Sequence, residues 1–345
     1  MGFSASHVYR KWKSLLGLVL VAVALYAAGG VGMAYVAGFT HVQHRLVHAQ
    51  WWWLAPSFGA VAVAFGGYLF AYRGIKHADQ GPELEWTSLL AVVTAGFGGF
   101  LAHGGTAVDE FAMRAGGANK HEAKVRITAL AGFEHGVLAL IVCPAAIAAV
   151  ALGEVIPRTD LSWPWAVIPP IGFAIAFWSA ARFRDRLRDR DGWREKLGVF
   201  LDAIHLVFDI LRRPRRYGYA VLGMMLYWGG DMFALWAATA AFGYHMTILA
   251  VIVALATGML FTRRTAPLGG AGIMLVALVP TLWYGAAVPF AAATLGVAAY
   301  RLFTLFGPMP AAFASVPKLR ALGRHGEDSS GGGTRTSKGE PALQH

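Results

Sequence analysis

Charge is scarce in this chain. Only 14% of its 345 residues are Asp, Glu, Lys or Arg, and 57% are hydrophobic, whereas a soluble domain carries about 25% charged residues. Apolar stretches long enough to cross a hydrocarbon core of roughly 30 Å recur along the chain, which excludes a soluble globular fold. Alternating strands typical of outer-membrane barrels are also missing. The composition therefore predicts an all-α polytopic membrane protein.

Cysteine and the common catalytic motifs are equally sparse. The single cysteine, Cys143, excludes an intramolecular disulfide and is most simply a small core residue. The sequence contains no Walker-type phosphate loop, no Gly-x-Ser-x-Gly elbow and no His-Glu-x-x-His helix. We therefore expect neither enzyme activity nor a cofactor. Three histidines, His41, His44 and His48, would share a helix face, but no acid or cysteine accompanies them, so we prefer an interfacial helix to a metal site.

Acidic residues are outnumbered by basic ones, 19 against 30, and the net charge is +11. In a membrane protein this excess follows the positive-inside rule and meets anionic lipid headgroups, so nucleic acid is not expected as a partner. The rule places a basic leader, 1–14, and a basic segment, 182–216, on the cytoplasmic side of the cell membrane. Apolar residues at helical spacing within the second segment predict an amphipathic surface helix.

The apolar region between the leader and the tail, 15–316, is predicted to form a single membrane domain, and the polar tail, 317–345, is predicted to be disordered. We expect about seven to eight transmembrane helices plus one or two re-entrant or glycine-broken segments. Segment 86–108 is predicted to re-enter, because a full crossing would place a basic cluster outside. A second glycine-broken segment, 263–272, lies in the other half, and such paired interruptions suggest an inverted repeat.

Charged residues and glycines near these interruptions are the candidate substrate-binding groups. A charge at the bilayer centre costs on the order of 3 kcal/mol unless protein or water satisfies it. Arg263 and Arg264 carry planar guanidinium groups suited to lipid phosphate. Close backbone approach to an anionic headgroup is allowed by three glycines: Gly269, Gly270 and Gly272. The other candidates are acids and arginines elsewhere in the chain: Glu110, Arg114, Glu134, Asp231 and Arg301.

Each of these candidates also has a purely structural interpretation. Arg263 and Arg264 could anchor a helix end at the membrane surface, and the glycines could serve close helix packing. Arg301 either extends to the interface or pairs with a carboxylate. An i, i+4 ion pair would account for Glu110 and Arg114. At Asp231, a neutral or hydrogen-bonded carboxyl group could serve only helix packing.

The sequence Thr-Arg-Arg-Thr-Ala-Pro-Leu-Gly-Gly-Ala-Gly at 262–272 and the later Ala-Tyr-Arg-Leu-Phe at 299–303 resemble the flippase-like transmembrane domain of lysylphosphatidylglycerol synthases. That family has a Pro-x-Gly-Gly-x-Gly break before a span that ends in Tyr-Arg. It also has an earlier glycine-rich segment that ends in Glu with Arg close by, matched here by Glu110 and Arg114. The resemblance covers most of residues 10–320. Two positions depart from it: His135 stands where Arg is usual, and an apolar residue near Leu275 replaces the usual Glu.

This resemblance implies a translocase that moves a polar or anionic lipid headgroup, with membrane phospholipid or another lipid-linked molecule as its substrate. Because a short polar tail follows the membrane domain, we expect no aminoacyl-transfer domain. The alternative is an accessory integral membrane subunit for a glycosyltransferase or another cell-envelope lipid pathway. Substitutions in the basic segment would impair that second function, whereas substitutions at Asp231 would not.

Overall fold

A computed structural model describes residues 12–78, 81, 85–98, 105–153, 156–187, 192–262 and 269–331. The described chain is helical, and the protein is an all-α polytopic membrane protein. The helices, in chain order, are α1 (Trp12–Ala37), α2 (Phe39–Val47), α3 (Leu54–His77), α4 (Trp86–Gly98), α5 (Gly105–Ala115), α6 (Lys120–Ala151), α7 (Thr159–Leu187), α8 (Trp193–Arg212), α9 (Pro214–Ala241), α10 (Ile248–Thr262), α11 (Gly269–Gly285), α12 (Phe290–Arg301) and α13 (Met309–Gly331). A π-helical segment, Leu302–Phe306, follows α12.

Six helical segments among the described residues are long and apolar enough to cross a membrane: Val19–Ala37, Trp51–His77, Lys120–Ala151, Thr159–Phe183, Pro214–Ala241 and Phe290–Leu319. This number, counted among the described residues, is lower than the expected seven to eight spans. The difference arises in the second half, where α10 and α11 have only 15 and 17 residues. At 1.5 Å per residue each is about 25 Å long or less, shorter than the hydrocarbon core.

Helices α3 and α9 form the antiparallel centre of the bundle, held together by small residues. A Cβ atom added to Gly223 on α9 would lie 2.6 Å from the carbonyl oxygen of Gly67 on α3, and one added to Gly230 would lie 2.7 Å from that of Ala60. The Ser57 hydroxyl donates to the carbonyl of Ala234 across the same interface, at 2.8 Å. The two backbones therefore touch, as small-residue stripes allow in membrane helices.

Two arginines cap the carboxyl ends of this central pair. Buried Arg126 on α6 donates from Nη1 to the last carbonyls of α3, at 2.6–3.0 Å, while its Nε and Nη2 donate to Glu122. Arg45 donates to the carbonyls of Phe242 and Gly243 after α9. Both guanidinium groups thus satisfy helix-end carbonyls that would otherwise lack partners.

The short helices α4 and α5 form a hairpin that starts and finishes at the same end of the bundle. Arg73, near the end of α3, lies 4.0 Å from the ring centre of Trp86, where α4 begins. Phe97, near the end of α4, reaches only the middle of α3, where its ring lies 5.0 Å from that of Tyr68. A four-residue turn then joins α5 to α6. We call the end that holds the C-terminus of α3 and the N-termini of α6 and α9 the basic end.

Helices α10 and α11 form a second hairpin that opens at the opposite end. The hydroxyl of Tyr244, just before α10, donates to the carbonyl of Ala286, just after α11, at 3.3 Å. The backbone N–H of Arg158, before α7, donates to the carbonyl of Gly285. Gly258 and Leu278 pack against each other between the two helices. The hairpin therefore has both its ends on the side where α9 finishes.

The two halves repeat one order of elements with inverted direction. Each half has a long helix, a shorter helix, a second long helix, a helical hairpin and a third long segment: α1, α2, α3, α4–α5 and α6, then α7, α8, α9, α10–α11 and α12–α13. The hairpins enter from opposite ends, as the paired glycine-rich segments suggested. The tips of both, 99–104 and 263–268, lie outside the described residues.

One expected boundary differs from the described structure. Helix α13 continues to Gly331 rather than giving way to disorder at 317. Around that position Val316 and Leu319 are buried against the bundle, and Lys318 pairs with Glu85 at 3.7 Å. Residues 332–345 lie outside the described part of the chain.

In the basic segment, α8 packs against α6 and α7, and Lys124 on α6 donates to Glu195 on α8 at 3.0 Å.

Candidate functional site, a buried polar layer at mid-depth

A charged pair lies inside the bundle where α9 meets α12. Asp231 occupies the middle third of α9 and is only 5% exposed. The Arg301 guanidinium, at the end of α12, lies within electrostatic reach of this carboxylate and of the hydroxyls of Tyr300, Tyr227 and Tyr26. Tyr300, itself fully buried, faces Asp231. The structure thus favours the pairing interpretation of Arg301 over extension to the interface.

The backbone around Arg301 is adapted to this position. Helix α12 changes to π-helical geometry at Leu302, and such segments occur frequently at functional sites. Arg301 Nη1 donates to the Thr304 hydroxyl at 3.3 Å, and that hydroxyl donates to the carbonyl of Tyr300 at 3.1 Å. Tyr26 on α1 donates to the carbonyl of Ala298 at 2.7 Å. Contacts from both sides therefore fix the end of α12 beside Asp231.

A second cluster joins the first hairpin to α3 and α6. Asp109 on α5 is 9% exposed and Glu134 on α6 is 4% exposed, and the two carboxyl groups lie within electrostatic reach of each other. The hydroxyl of Tyr72 on α3, 1% exposed, faces Asp109. The indole N–H of Trp228 on α9 donates to the backbone carbonyl of Glu134 at 2.9 Å, which ties this cluster to the central helix pair.

Aromatic rings connect the two clusters. The ring of Tyr68 lies 6.4 Å from that of Tyr72 on one side and 5.2 Å from that of Tyr227 on the other. Tyr227 lies within electrostatic reach of Tyr300 and Arg301. The layer therefore extends from the first hairpin through the centre of the bundle to α12, with polar hydroxyls on otherwise apolar rings.

The structure brings together only part of the expected set. Asp231, Glu134 and Arg301 lie in the polar layer, whereas Glu110 is half-buried and Arg114 is exposed on α5. Among the described side chains, those two form no ion pair with each other, so the i, i+4 pairing is not observed.

The remaining expected residues lie at the second hairpin. Arg263 and Arg264 fall outside the described residues. Gly269, Gly270 and Gly272 form the first turn of α11. Leu275, where the resembling family usually has an acid, is fully buried in the apolar core. His135 is exposed, and its Nδ1 lies 2.7 Å from the carbonyl of Ala131.

Sequence reasoning overlooked Asp109 and the tyrosines. It selected Glu110, one position along, although neighbouring residues on a helix point about 100° apart. A signal for the tyrosines was available, since Tyr68 and Tyr72 have the i, i+4 spacing that puts both on one face of α3.

Metal chemistry has no support in the described part of the chain, which contains no group of three or more His, Cys, Asp or Glu residues arranged to hold an ion. The charged groups of the layer form two separate sets. One consists of the carboxyl groups of Asp109 and Glu134, and the other of the Asp231 carboxylate with the Arg301 guanidinium. The first set can hold a positive ion or a proton, and the second can exchange its internal partner for an external anion. No protein-family model matches the chain, and no curated protein is similar to it in sequence.

Proposed function

We propose that this protein is a lipid translocase, which moves a polar or anionic headgroup across the cell membrane while the acyl chains stay in the bilayer. The observation that carries the proposal is the Asp231–Arg301 pair, placed at mid-depth between two hairpins that open at opposite ends. Ionisable residues within membrane segments mark substrate or ion pathways. Transporter sites commonly lie at the midplane, between halves of an inverted repeat.

The chemistry assigns a role to each group. Arg301 would neutralise a lipid phosphate, and Asp231 would hold the guanidinium when no headgroup is bound. The glycines at the start of α11 would allow an anion to approach the N–H groups of the helix end, and Arg263 and Arg264 precede them in the sequence. The resemblance of 262–272 to a flippase-like domain supports the same arrangement.

The distribution of charge supports one orientation. Arg73, Lys120 and Lys124 lie at the basic end, as do α8 and the arginines before α9, whereas Arg45 and Arg158 lie at the opposite end. Under the positive-inside rule the basic end and the N-terminus face the cytoplasm. Anionic headgroups would then bind around α8.

The decisive experiment measures headgroup accessibility in proteoliposomes that contain the purified protein and short-chain fluorescent phosphatidylglycerol. Wild type is compared with Asp231→Asn, Arg301→Gln and Arg264→Ala, and with Arg158→Gln as an exposed-arginine control. We expect protein-dependent movement of label between leaflets in wild type and the control, reduced at least tenfold in the other three. Equal movement in all five proteins would reject the site, and no movement with any lipid class would reject the function.

One observation favours a second candidate, an accessory subunit for a cell-envelope enzyme. Helix α8 buries one apolar face but exposes Trp193 by 69% and Phe200 by 49%. Exposed aromatic residues of this kind can bind a partner protein. This function predicts that Trp193→Ala and Phe200→Ala impair the cellular pathway, while Asp231→Asn does not.

A further inference from the structure

The Asp109–Glu134 cluster has features that the headgroup site does not use. Its two carboxyl groups belong to different helices, one of them in the hairpin that opens at the basic end, and both are at least nine-tenths buried. Two buried acidic groups that interact with each other repel when both are charged, and a proton bound between them would relieve that repulsion.

A third group is directed at this pair. The Tyr72 hydroxyl is buried and lies close enough to the Asp109 carboxyl to hydrogen-bond with it. This hydroxyl can donate to the ionised carboxylate and can accept from the protonated carboxyl, so it can accompany either state of Asp109.

The surroundings of Asp109 limit which other groups can compensate its charge. Helix α4 has no ionisable side chain between Trp86 and Phe97. On α13, Lys318 pairs with Glu85 at the base of the hairpin.

On α6, Arg126 is held by the carbonyls of α3 and by Glu122, and His135 is exposed. Among the described groups, Tyr72 from α3 and Glu134 from α6 interact with Asp109 itself. The fully buried Lys76 lies one turn beyond Tyr72 on α3.

The tyrosine series gives the cluster a connection to the headgroup site. Tyr68 acts electrostatically on Tyr72, its ring packs against that of Tyr227, and Tyr227 acts on Arg301. Side-chain contacts therefore connect Asp109 through Tyr72, Tyr68 and Tyr227 to Arg301. Coupling requires such a physical connection between two sites.

We propose that Asp109 and Glu134 form a proton-binding site, distinct from the Asp231–Arg301 headgroup site, and that proton binding there drives the directional movement of the headgroup. This inference rests on the proposed translocase function and adds its energy source. A proton enters from one end of the bundle, resides on the carboxyl pair facing Tyr72, and leaves toward the other end as the headgroup crosses.

The test uses phosphatidylcholine vesicles that contain the full-length protein, fluorescent phosphatidylglycerol and an entrapped pH-sensitive dye. A pH difference is imposed in either direction, and both label distribution and proton flux are recorded. For one proton per lipid, the label ratio between leaflets should shift by up to about tenfold per unit of pH difference. Reversing the gradient should reverse the shift.

Variants separate the two sites. In Asp109→Asn and Glu134→Gln the gradient-driven shift and the lipid-dependent proton flux should disappear, while slow equilibration of label persists. Asp109→Glu, which keeps an ionisable group, should retain part of the shift. Asp160→Asn, at an exposed acid outside the cluster, is the matched control and should behave as wild type. Monodisperse elution of each variant confirms folding.

The outcomes distinguish the inference from the function on which it rests. If label equilibrates between leaflets but ignores the pH gradient, or if Asp109→Asn and Glu134→Gln respond to it as wild type does, the proton site is rejected and the translocase stands. A shift driven by a sodium gradient at constant pH also overturns the proton assignment. If no label moves in wild type, the translocase function itself is rejected.

Discussion

Oppositely charged side chains inside a bilayer depend on each other because neither has bulk water as an alternative. Asp231 and Arg301 are brought together from the antiparallel helices α9 and α12. Removing one partner leaves the other buried in a medium where an isolated charge is strongly disfavoured. The same mutual dependence makes the pair suitable for exchange, since an incoming phosphate can replace the carboxylate at the guanidinium.

A double-mutant cycle tests whether the two side chains act as a pair. Asp231→Asn and Arg301→Gln should each lower thermal stability in detergent, and the double variant should be more stable than the sum of the two effects predicts. We expect a coupling free energy of about 1–3 kcal/mol, typical of residues that share one polar network. Strict additivity would show that Asp231 and Arg301 do not interact in the folded protein.

At the level of elements, glycines at the α3–α9 interface allow the two helix backbones to lie in direct contact. A Cβ on Gly223 would lie 2.6 Å from a backbone oxygen of α3. Gly223→Ala and Gly67→Ala should therefore destabilise the protein by about 1–3 kcal/mol through overpacking. The loss should appear as a lower melting temperature in fluorescence-detected size-exclusion chromatography.

Neighbouring glycines on the same helices provide internal controls. Gly66 and Gly229 have open space around the position of an added Cβ. Since alanine is a better helix former than glycine by about 1 kcal/mol, Gly66→Ala and Gly229→Ala should be neutral or stabilising. Equal effects at Gly66 and Gly67 would mean that the two backbones are not in contact.

The hydrogen bonds from Arg126 to the carbonyls at the end of α3 lead to a second prediction at this scale. Arg126→Met keeps much of the side-chain volume but removes the donors to the carbonyls of Ile75, Lys76 and Ala78 and leaves Glu122 without its partner. We expect a loss of about 3 kcal/mol, measured as a lower thermal midpoint. Arg158→Met, at an exposed arginine, should change the midpoint little. A similar midpoint for both variants would contradict the cap.

How much of this fold the sequence predicts depends on the element. The long helices follow from apolar length, because that pattern has no alternative in lipid. The first hairpin was predicted from glycine content and the charge balance around 86–108. The side-chain partners were not predictable, because burial of Asp109 rather than Glu110 depends on the rotation of α5 about its axis. The pairing of α3 with α9 was not predictable either. It depends on a row of small residues on each helix, and the helical periodicity of the sequence does not show which two rows pack together.

At the scale of the whole molecule, the proposed transport would depend on the opposite directions of the two halves in the membrane. Two halves with the same order of elements and opposite direction can exchange roles, so that each hairpin in turn opens the central layer to its own end. The central pair α3–α9 is held by direct contact between backbones, whereas the hairpins consist of short helices. Movement is therefore expected at the hairpins rather than at the centre.

Sided chemical labelling tests this inversion directly. The chain has one cysteine, Cys143, so Cys143→Ser provides a background for single replacements. Glu85→Cys lies at the open end of the first hairpin and Thr247→Cys just before the second, and both positions are exposed. A membrane-impermeant maleimide should label Thr247→Cys in intact spheroplasts and Glu85→Cys only in inside-out vesicles. Labelling of both from one side would refute the opposed hairpins, because the two ends would then share a compartment. Reversed sidedness would preserve the inverted repeat and overturn the cytoplasmic assignment of the basic end.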